Sequence, residues 1–148
     1  MEPLAAINEW CCSVTSVTWA LNGLGKPITQ EEIIQKFTPY FPEWKDRPGL
    51  VSRTDVLRLL EMNELNVGKY IQSADKEELC SFFSKNHPKY QCGFLQTRKS
   101  TNHCMPLVGL SGNGFQFMNC DRVSPSFIDV GWDFLGKTDA DMLLVFQR

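Results

Sequence analysis

The spacing of apolar residues changes between the two halves of this chain, and the change limits the folds open to it. Up to about residue 84, apolar side chains recur every three or four residues, as in amphipathic helices. After His87-Pro88 they alternate with a period of two, as in strands. Helices followed by strands in 148 residues predict an α+β fold, one domain over residues 1–148, with a helical front and an antiparallel sheet behind.

Four helices and five strands are predicted from these patterns. The helices are expected at Cys12–Leu24, Thr29–Phe37, Val56–Met62 and Ser73–Ser84, and the strands at Asn66–Ile71, Lys89–Thr97, His103–Leu110, Phe115–Cys120 and Met142–Phe146. Thr29 and Glu32 have the spacing of a capping box, and Ser52–Asp55 is expected to cap the third helix. Thr38–Gly49 is expected to be an ordered loop, and Ser111–Gly114 a hairpin turn.

Composition and charge exclude several classes of function. The hydrophobic fraction of 43% and the charged fraction of 22% are typical of a globular protein, and the net charge of -2 lacks the basic patch that nucleic-acid binding needs. No apolar run approaches the ~20 residues of a membrane helix, so no membrane insertion is expected. Without a signal-peptide pattern at the start, we expect a cytoplasmic protein or one delivered into a host or target cell.

Six cysteines are scattered along the chain without the spacing of a metal site. They occupy positions 11, 12, 80, 92, 104 and 120, and neither CxxC nor HxxxH occurs. We therefore expect no metal and no cofactor, and we expect mostly buried free thiols, since free cysteine behaves as a small hydrophobe. This favours a reducing compartment.

Cys12 stands where a helix is predicted to begin. Unpaired backbone N–H groups and the positive end of the helix dipole favour a thiolate at such a position, and a thiolate is the nucleophilic form of cysteine. A general base must come from elsewhere, and the chain has only His87 and His103. His87 lies in a polar loop before a proline, which is typical of a surface histidine, whereas His103 opens a predicted strand.

The hairpin after His103 brings a partner strand back beside it. A group on that strand can accept a hydrogen bond from the second ring nitrogen of His103 and orient the ring. Asn119 is the expected orienting residue, and Asp121, two residues later on the same strand face, is the alternative.

These two blocks resemble the papain-like cysteine peptidases, and within them the small bacterial branch that contains the leader-peptide peptidase domains of bacteriocin-exporting ABC transporters. In that branch a Gly thirteen residues after the nucleophile and a Pro two later precede an acidic helix start, as Gly25 and Pro27 do after Cys12. The second block places Asp or Asn sixteen residues after the histidine, as Asn119 follows His103. The resemblance covers about residues 8–146 and implies a papain-like fold with a Cys-His-Asn/Asp triad.

The chain departs from this family at two positions around the nucleophile, and the choice of nucleophile has one alternative. The family's oxyanion-binding Gln, six residues before the cysteine, is replaced by Ala6, and we expect the Asn8 amide to take its role. Ser13 replaces the Gly that usually follows the nucleophile. Some related effector peptidases have Trp directly before the catalytic cysteine, which in Trp10-Cys11-Cys12 makes Cys11 the alternative nucleophile.

The resemblance implies an enzyme, a cysteine hydrolase that cleaves a peptide or side-chain amide bond of a protein or peptide substrate. Two alternatives stay open at this stage. The same residues serve a glutamine deamidase or an acyl or amide transferase effector. A peptidase-like binding module without activity is the second alternative, favoured by the missing Gln at Ala6.

Overall fold

Three helices come before the first strand in the structure, as the sequence predicts. The computed structural model describes residues 2–52, 55–72, 77, 81, 90–97, 104–112, 114–131 and 140–147. Within these ranges the chain forms three α-helices, two short 3-10 turns and six strands, all of which belong to one sheet. The α+β class is confirmed.

The first two helices begin where local sequence signals place them. Helix α1 spans Cys12–Gly23 and helix α2 spans Gln30–Phe37. The capping box of α2 is confirmed, because the Thr29 hydroxyl accepts from the Glu32 N–H at 3.1 Å and the Glu32 carboxylate accepts from the Thr29 N–H at 3.0 Å. In α1 every residue from Ser13 to Thr18 is buried, so this part of the helix is enclosed on all sides, whereas its last two residues are exposed.

Helix α3 spans Val56–Met62 and buries Val56, Leu59 and Leu60, as predicted. Asp55 of the expected capping segment is the N-cap residue, but its side chain makes no capping bond. Its carboxylate instead accepts from the Ser52 hydroxyl at 3.0 Å. The carboxylate is therefore used to close the preceding turn.

The predicted loop before α3 contains two 3-10 turns, Thr38–Tyr40 and Pro42–Lys45. Trp44 is buried in it, stacks on Phe41 with ring centroids 4.5 Å apart, and donates to the Leu50 carbonyl at 2.7 Å. These contacts make the loop ordered, as expected. Of the predicted fourth helix, Ser73–Ser84, only Glu77 and Ser81 lie among the described residues, and both are helical.

The six strands form an antiparallel sheet in the order β1-β6-β2-β3-β4-β5. Their bounds are Asn66–Gln72 (β1), Tyr90–Thr97 (β2), Cys104–Ser111 (β3), Gly114–Asn119 (β4), Ser126–Gly131 (β5) and Ala140–Gln147 (β6). Five of them match the predicted strands within about two residues, and the hairpin is confirmed by the pairing of Ser111 with Gly114. Strand β5 was not predicted, because Phe127, Ile128 and Val130 do not alternate cleanly and Phe127 is half-exposed.

Helix α1 packs on the sheet at β3, next to β4. Phe115, Phe117 and Met118 of β4 are fully buried. The Ser16 hydroxyl on α1 lies 2.7 Å from the Cys12 carbonyl oxygen and 3.1 Å from the Cys104 carbonyl oxygen, so it links the first turn of the helix to the first residue of β3. This contact places the helix start beside the β3–β4 pair.

No helix among the described residues combines the length and apolar character needed to cross a membrane.

Candidate active site

Helix α1 begins between the two adjacent cysteines. Cys11 is the N-cap residue and Cys12 the first helical residue. The first turn is closed by the Thr15 N–H, which donates to the Cys11 carbonyl at 2.8 Å. Because the two side chains leave the backbone at different points of this turn, they lie in different environments.

Cys11 is fully enclosed by the protein. Its side chain is 0% exposed, and its sulfur lies 3.7 Å from the Asn8 carbonyl, 3.5 Å from the Thr15 hydroxyl and 3.5 Å from Gln30 Oε1. Gly49 packs so closely that a Cβ at that position would lie 2.6 Å from the Cβ of Cys11. These contacts leave no path for a substrate to the Cys11 sulfur.

Cys12 is half-buried and faces an open cavity of about 390 Å³. Two chain segments form most of its wall, one before the helix and one after β4. The lining residues are Ala6, Asn8, Glu9, Trp10, Cys12, Leu50, Val51, Cys120, Asp121, Arg122 and Val123. Of the two neighbouring cysteines, Cys12 lines this cavity and Cys11 does not.

Burial raises the pKa of the Cys12 thiol, and hydrogen bonds to its sulfur from the Cys104 backbone and from Ser13 oppose that shift. The helix-start N–H groups of Cys12 and Ser13 act in the direction expected for a helix N-terminus, but burial outweighs them. With these partners alone, Cys12 is held as a neutral thiol, so an activating base is needed to form the thiolate.

Two further thiols lie beside Cys12. The sulfur of Cys120 is 3.8 Å from the Cys12 carbonyl oxygen and 3.7 Å from the Cys104 carbonyl oxygen. Burial raises the pKa of Cys120 to about 12, and burial also raises the pKa of Cys104 well above its usual value, in both cases with a contribution from Cys12. Both thiols are buried and neutral, and none of the three cysteines forms a disulfide. Among the residues that the structure describes, no three His, Cys, Asp or Glu side chains are grouped to hold a metal ion.

His103, the predicted base, lies outside the described residues, as does His87. The described chain resumes at Cys104, the next residue, whose backbone hydrogen-bonds the Cys12 sulfur. The sequence position of His103 therefore directly precedes a residue in contact with Cys12.

The two candidates for the third member occupy different positions. Asn119 is half-buried, ends β4 and pairs with Ser126 of β5. Asp121 is exposed in the following turn and lines the cavity, and its Oδ1 accepts from the N–H groups of Val123 and Ser124 at 2.8 and 2.9 Å. Asp121 thus holds the turn that forms one wall of the cavity.

Asn8, the predicted oxyanion donor, lines the same cavity on the other side. Its Nδ2 donates to the Pro48 carbonyl at 2.8 Å, and its Oδ1 accepts from the Trp10 N–H at 2.8 Å. A primary amide carries two N–H hydrogens, so the bond to Pro48 engages one of them. The bonds at both ends fix the orientation of the Asn8 amide beside Cys12.

Sequence reasoning missed several residues of this site. Gln30 bonds to the helix start and to the segment before it, Ser16 links α1 to β3, and Cys104 and Cys120 surround Cys12. No local signal marks Gln30, which reads as an ordinary first residue of an acidic helix. The predicted hairpin places Cys104 and Cys120 on neighbouring strands, so their proximity could have been predicted from the sequence.

The described architecture is similar to that of two solved transporter peptidase structures. One solved structure of this fold is a double glycine motif protease from an AMS/PCAT transporter in complex with the leader peptide; it superposes with a TM-score of 0.65 at 14% identity, over 99% of this chain and 90% of that one. Another is the peptidase domain of Streptococcus ComA, a bi-functional ABC transporter involved in a quorum sensing pathway, with a TM-score of 0.67 at 11% identity, over 99% and 98% of the two chains.

At these identities the likeness establishes the fold, and it agrees with the family resemblance of the sequence blocks around Cys12 and His103. No protein-family model matches the sequence, and no curated protein matches it.

Proposed function

We propose that this chain is a papain-like cysteine peptidase in which Cys12 is the nucleophile. The observation that carries the proposal is the contrast at the helix start: Cys12 is half-buried and lines a cavity of about 390 Å³, whereas the neighbouring Cys11 is 0% exposed and does not line it. A peptide substrate is supported by the similar transporter protease that was solved with the leader peptide.

In this proposal His103 takes the proton of the Cys12 thiol, and the thiolate attacks the carbonyl carbon of the substrate amide. The oxyanion that forms is bound by the Cys12 N–H and the Asn8 side chain. His103 returns the proton to the leaving amine as the C–N bond breaks, and water then hydrolyses the thioester. Because burial raises the pKa of the Cys12 thiol, the thiol stays neutral until the base takes its proton.

Mutation of the two proposed reacting groups tests this directly. Cys12→Ala and His103→Ala should each lower the hydrolysis rate of a fluorogenic peptide mixture by at least ~10³-fold, as loss of a member of a catalytic dyad does. Cys11→Ser is the matched control and should keep most of the activity, since its side chain faces the interior. An inactive Cys11→Ser with an active Cys12→Ala, both folded by circular dichroism, would move the nucleophile to Cys11.

Thiol labelling gives an independent test without a substrate. Iodoacetamide should modify Cys12 before Cys11, Cys104 or Cys120, because Cys12 alone among these four is not fully buried. Peptide mass mapping after short exposure reads the order. Faster labelling of Cys104 or Cys120 would contradict the assignment.

The orienting residue is resolved by comparing Asn119→Ala with Asp121→Ala. The proposal takes Asn119 as the third member of the triad and Asp121 as its alternative. Asn119→Ala should lower kcat more than Asp121→Ala does, and the opposite order would assign the role to Asp121.

A binding module is the second candidate, favoured by two observations. Burial raises the pKa of Cys12, and Ala6 stands where the family has its oxyanion Gln. A folded wild-type chain that binds peptides but hydrolyses none, with Cys12 resistant to iodoacetamide, would support this candidate. Conversion of Gln to Glu in intact substrates, without chain cleavage, would support the glutamine deamidase alternative, which uses the same residues.

A further inference from the structure

Gln30 is a buried polar side chain that bonds at both ends of its amide. It is 4% exposed at the first position of α2. Its Nε2 donates to the Ala5 carbonyl at 2.8 Å, while its Oε1 accepts from the Ile7 N–H at 3.2 Å and from the Thr15 hydroxyl at 2.8 Å. The Cys11 sulfur also lies 3.5 Å from Oε1, and its one S–H hydrogen has the Asn8 carbonyl as an alternative acceptor. Because donors surround the oxygen and an acceptor faces the nitrogen, the amide has one orientation.

The bonds to Ala5 and Ile7 hold the chain before α1 as a strand partner would, through alternate residues. Ala6, between them, points its N–H the other way and donates to the Cys120 carbonyl at 3.4 Å. The segment 5–8 is therefore held between Gln30 on one side and the end of β4 on the other. Ala6 and Asn8 of this segment line the cavity with Cys12.

We propose that Gln30 is a positioning residue for amide hydrolysis, one that fixes segment 5–8 so that the Asn8 amide and the Cys12 N–H reach the same oxyanion. The inference rests on the proposed function. Gln30 itself does not line the cavity, so it acts through Asn8 and through Cys11, the N-cap of the helix that carries Cys12. Oxyanion donors depend strongly on placement, and loss of one costs about 10²–10³ in kcat.

The first test replaces Gln30 by an apolar side chain of similar length. Gln30→Met removes its hydrogen bonds and should lower kcat on the peptide substrate by about 10- to 100-fold, with KM changed less than about 3-fold. Gln35→Met is the matched control, because Gln35 lies on the exposed face of the same helix. Its kinetics should equal those of the wild type.

Alkylation separates positioning from general loosening of the structure. Iodoacetamide reacts with the Cys12 sulfur without forming an oxyanion, so Gln30→Met should change its rate by less than about 2-fold while kcat falls. A merely structural role for Gln30 would raise the labelling of buried Cys104 and Cys120 as well. That result, with kcat falling only in proportion to the loss of folded protein, would overturn the proposal.

The second variant, Gln30→Glu, gives a pH profile. Burial raises the pKa of the introduced carboxyl above its usual ~4.3. When protonated it can still donate to the Ala5 carbonyl and accept from Ile7, but when ionised it loses the donor and repels that carbonyl. The activity of Gln30→Glu relative to wild type at the same pH should therefore be highest near about pH 5 and fall towards about pH 8.

The outcomes distinguish failure of the proposed role of Gln30 from failure of the peptidase proposal on which it rests. An active wild type, with Gln30→Met and Gln30→Glu both retaining wild-type kcat at every pH, overturns the role of Gln30 and leaves the peptidase proposal intact. A wild type that neither hydrolyses peptides nor reacts at Cys12 overturns both. If Gln30→Met does not fold, the pH profile of Gln30→Glu decides, and a ratio that is independent of pH contradicts the proposal.

Discussion

The two halves of the candidate site are held by different kinds of contact. The helix-start half, residues 5–16 together with Gln30, is fixed by hydrogen bonds of the Cys11, Thr15 and Gln30 side chains to one another and to the Asn8 carbonyl. The sheet half, strands β3 and β4, is fixed by the backbone ladder and by the fully buried Phe115, Phe117 and Met118. Both meet at Cys12.

This difference predicts how the stability and the geometry of each half respond to substitutions. A ladder of backbone bonds tolerates many side chains as long as the apolar face stays filled, so the sheet half should lose stability but keep its geometry. A polar network depends on each member, because one missing partner leaves the others buried and unsatisfied. Substitutions in the helix-start half should therefore disturb the geometry at Cys12 more for each unit of stability lost.

The largest effect is expected in the sheet half, from a cavity in its apolar face. Phe117→Ala should lower the free energy of unfolding by about 3–5 kcal/mol, since the ring is 0% exposed. Phe127→Ala on β5 is the control and should cost less than half as much, because that ring is 38% exposed. Urea denaturation measures both, and equal losses would mean that burial in the sheet half does not set its stability.

A smaller effect is expected where the loop before α3 touches the helix start. Gly49 has φ +86°, and a Cβ there would meet the Cβ of Cys11 at 2.6 Å and its Cα at 3.3 Å. Gly49→Ala should cost about 2–4 kcal/mol from strain and displacement, and should also lower kcat. Gly25→Ala is the comparison: at φ +78° the alanine would have backbone strain, but its Cβ would meet nothing within 4 Å. Thermal unfolding should show the Gly49 variant clearly below the Gly25 variant.

A comparison of two threonines of α1 tests whether the polar network, rather than helix formation, fixes the helix-start half. In both Thr15 and Thr18 the buried hydroxyl lies 2.8 Å from the carbonyl oxygen four residues earlier, but the Thr15 hydroxyl also lies 2.8 Å from Gln30 Oε1, so its one hydrogen is shared between two acceptors. Thr15→Val should cost about 1–2 kcal/mol and Thr18→Val under about 0.5 kcal/mol. Equal costs in chemical denaturation would show that the bond to Gln30 adds nothing.

The smallest expected effect is a pH dependence of stability that comes from Cys120, which lies beside Cys12 where the two halves meet. Burial raises the pKa of Cys120 from 9.0 to about 12, so the unfolded chain releases this proton first as the pH rises. Stability from the neutral thiol is present below pH 9.0 and is lost as the pH rises towards 12. Between about pH 8 and pH 9.5 the loss from one thiol is about 0.8 kcal/mol. Cys120→Ala should reduce this slope in denaturation curves, and an unchanged slope would exclude Cys120 as its source.

Much of the fold could be predicted because its signals are local. The capping box at Thr29, the apolar stripe of α3 and the Ser111–Gly114 hairpin each depend on a few neighbouring residues, and the structure confirms all three. Strand β5 was missed, because its apolar residues lack the alternation that marks a half-buried strand. The role of His103 stays a prediction.

The candidate site was only partly predictable, because most of its contacts join distant parts of the sequence. The spacing to Gly25 and Pro27 favoured Cys12 over Cys11, and the half-exposed Cys12 beside the enclosed Cys11 supports that choice. Gln30 could not be found from sequence, because its burial depends on residues 5–8 folding back across α2. A polar side chain at a helix start is usually solvated, and only the tertiary contact makes it internal.

The Ser16 hydroxyl joins the Cys12 carbonyl to that of Cys104, a residue 88 positions further along the chain. A chain released after α3 would carry the thiol without the strand that completes its surroundings. Contacts of such long sequence separation form late, since loop closure must come before them. During synthesis Cys12, the proposed nucleophile, is therefore made early, and its surroundings are assembled only once β3 and β4 have emerged and paired.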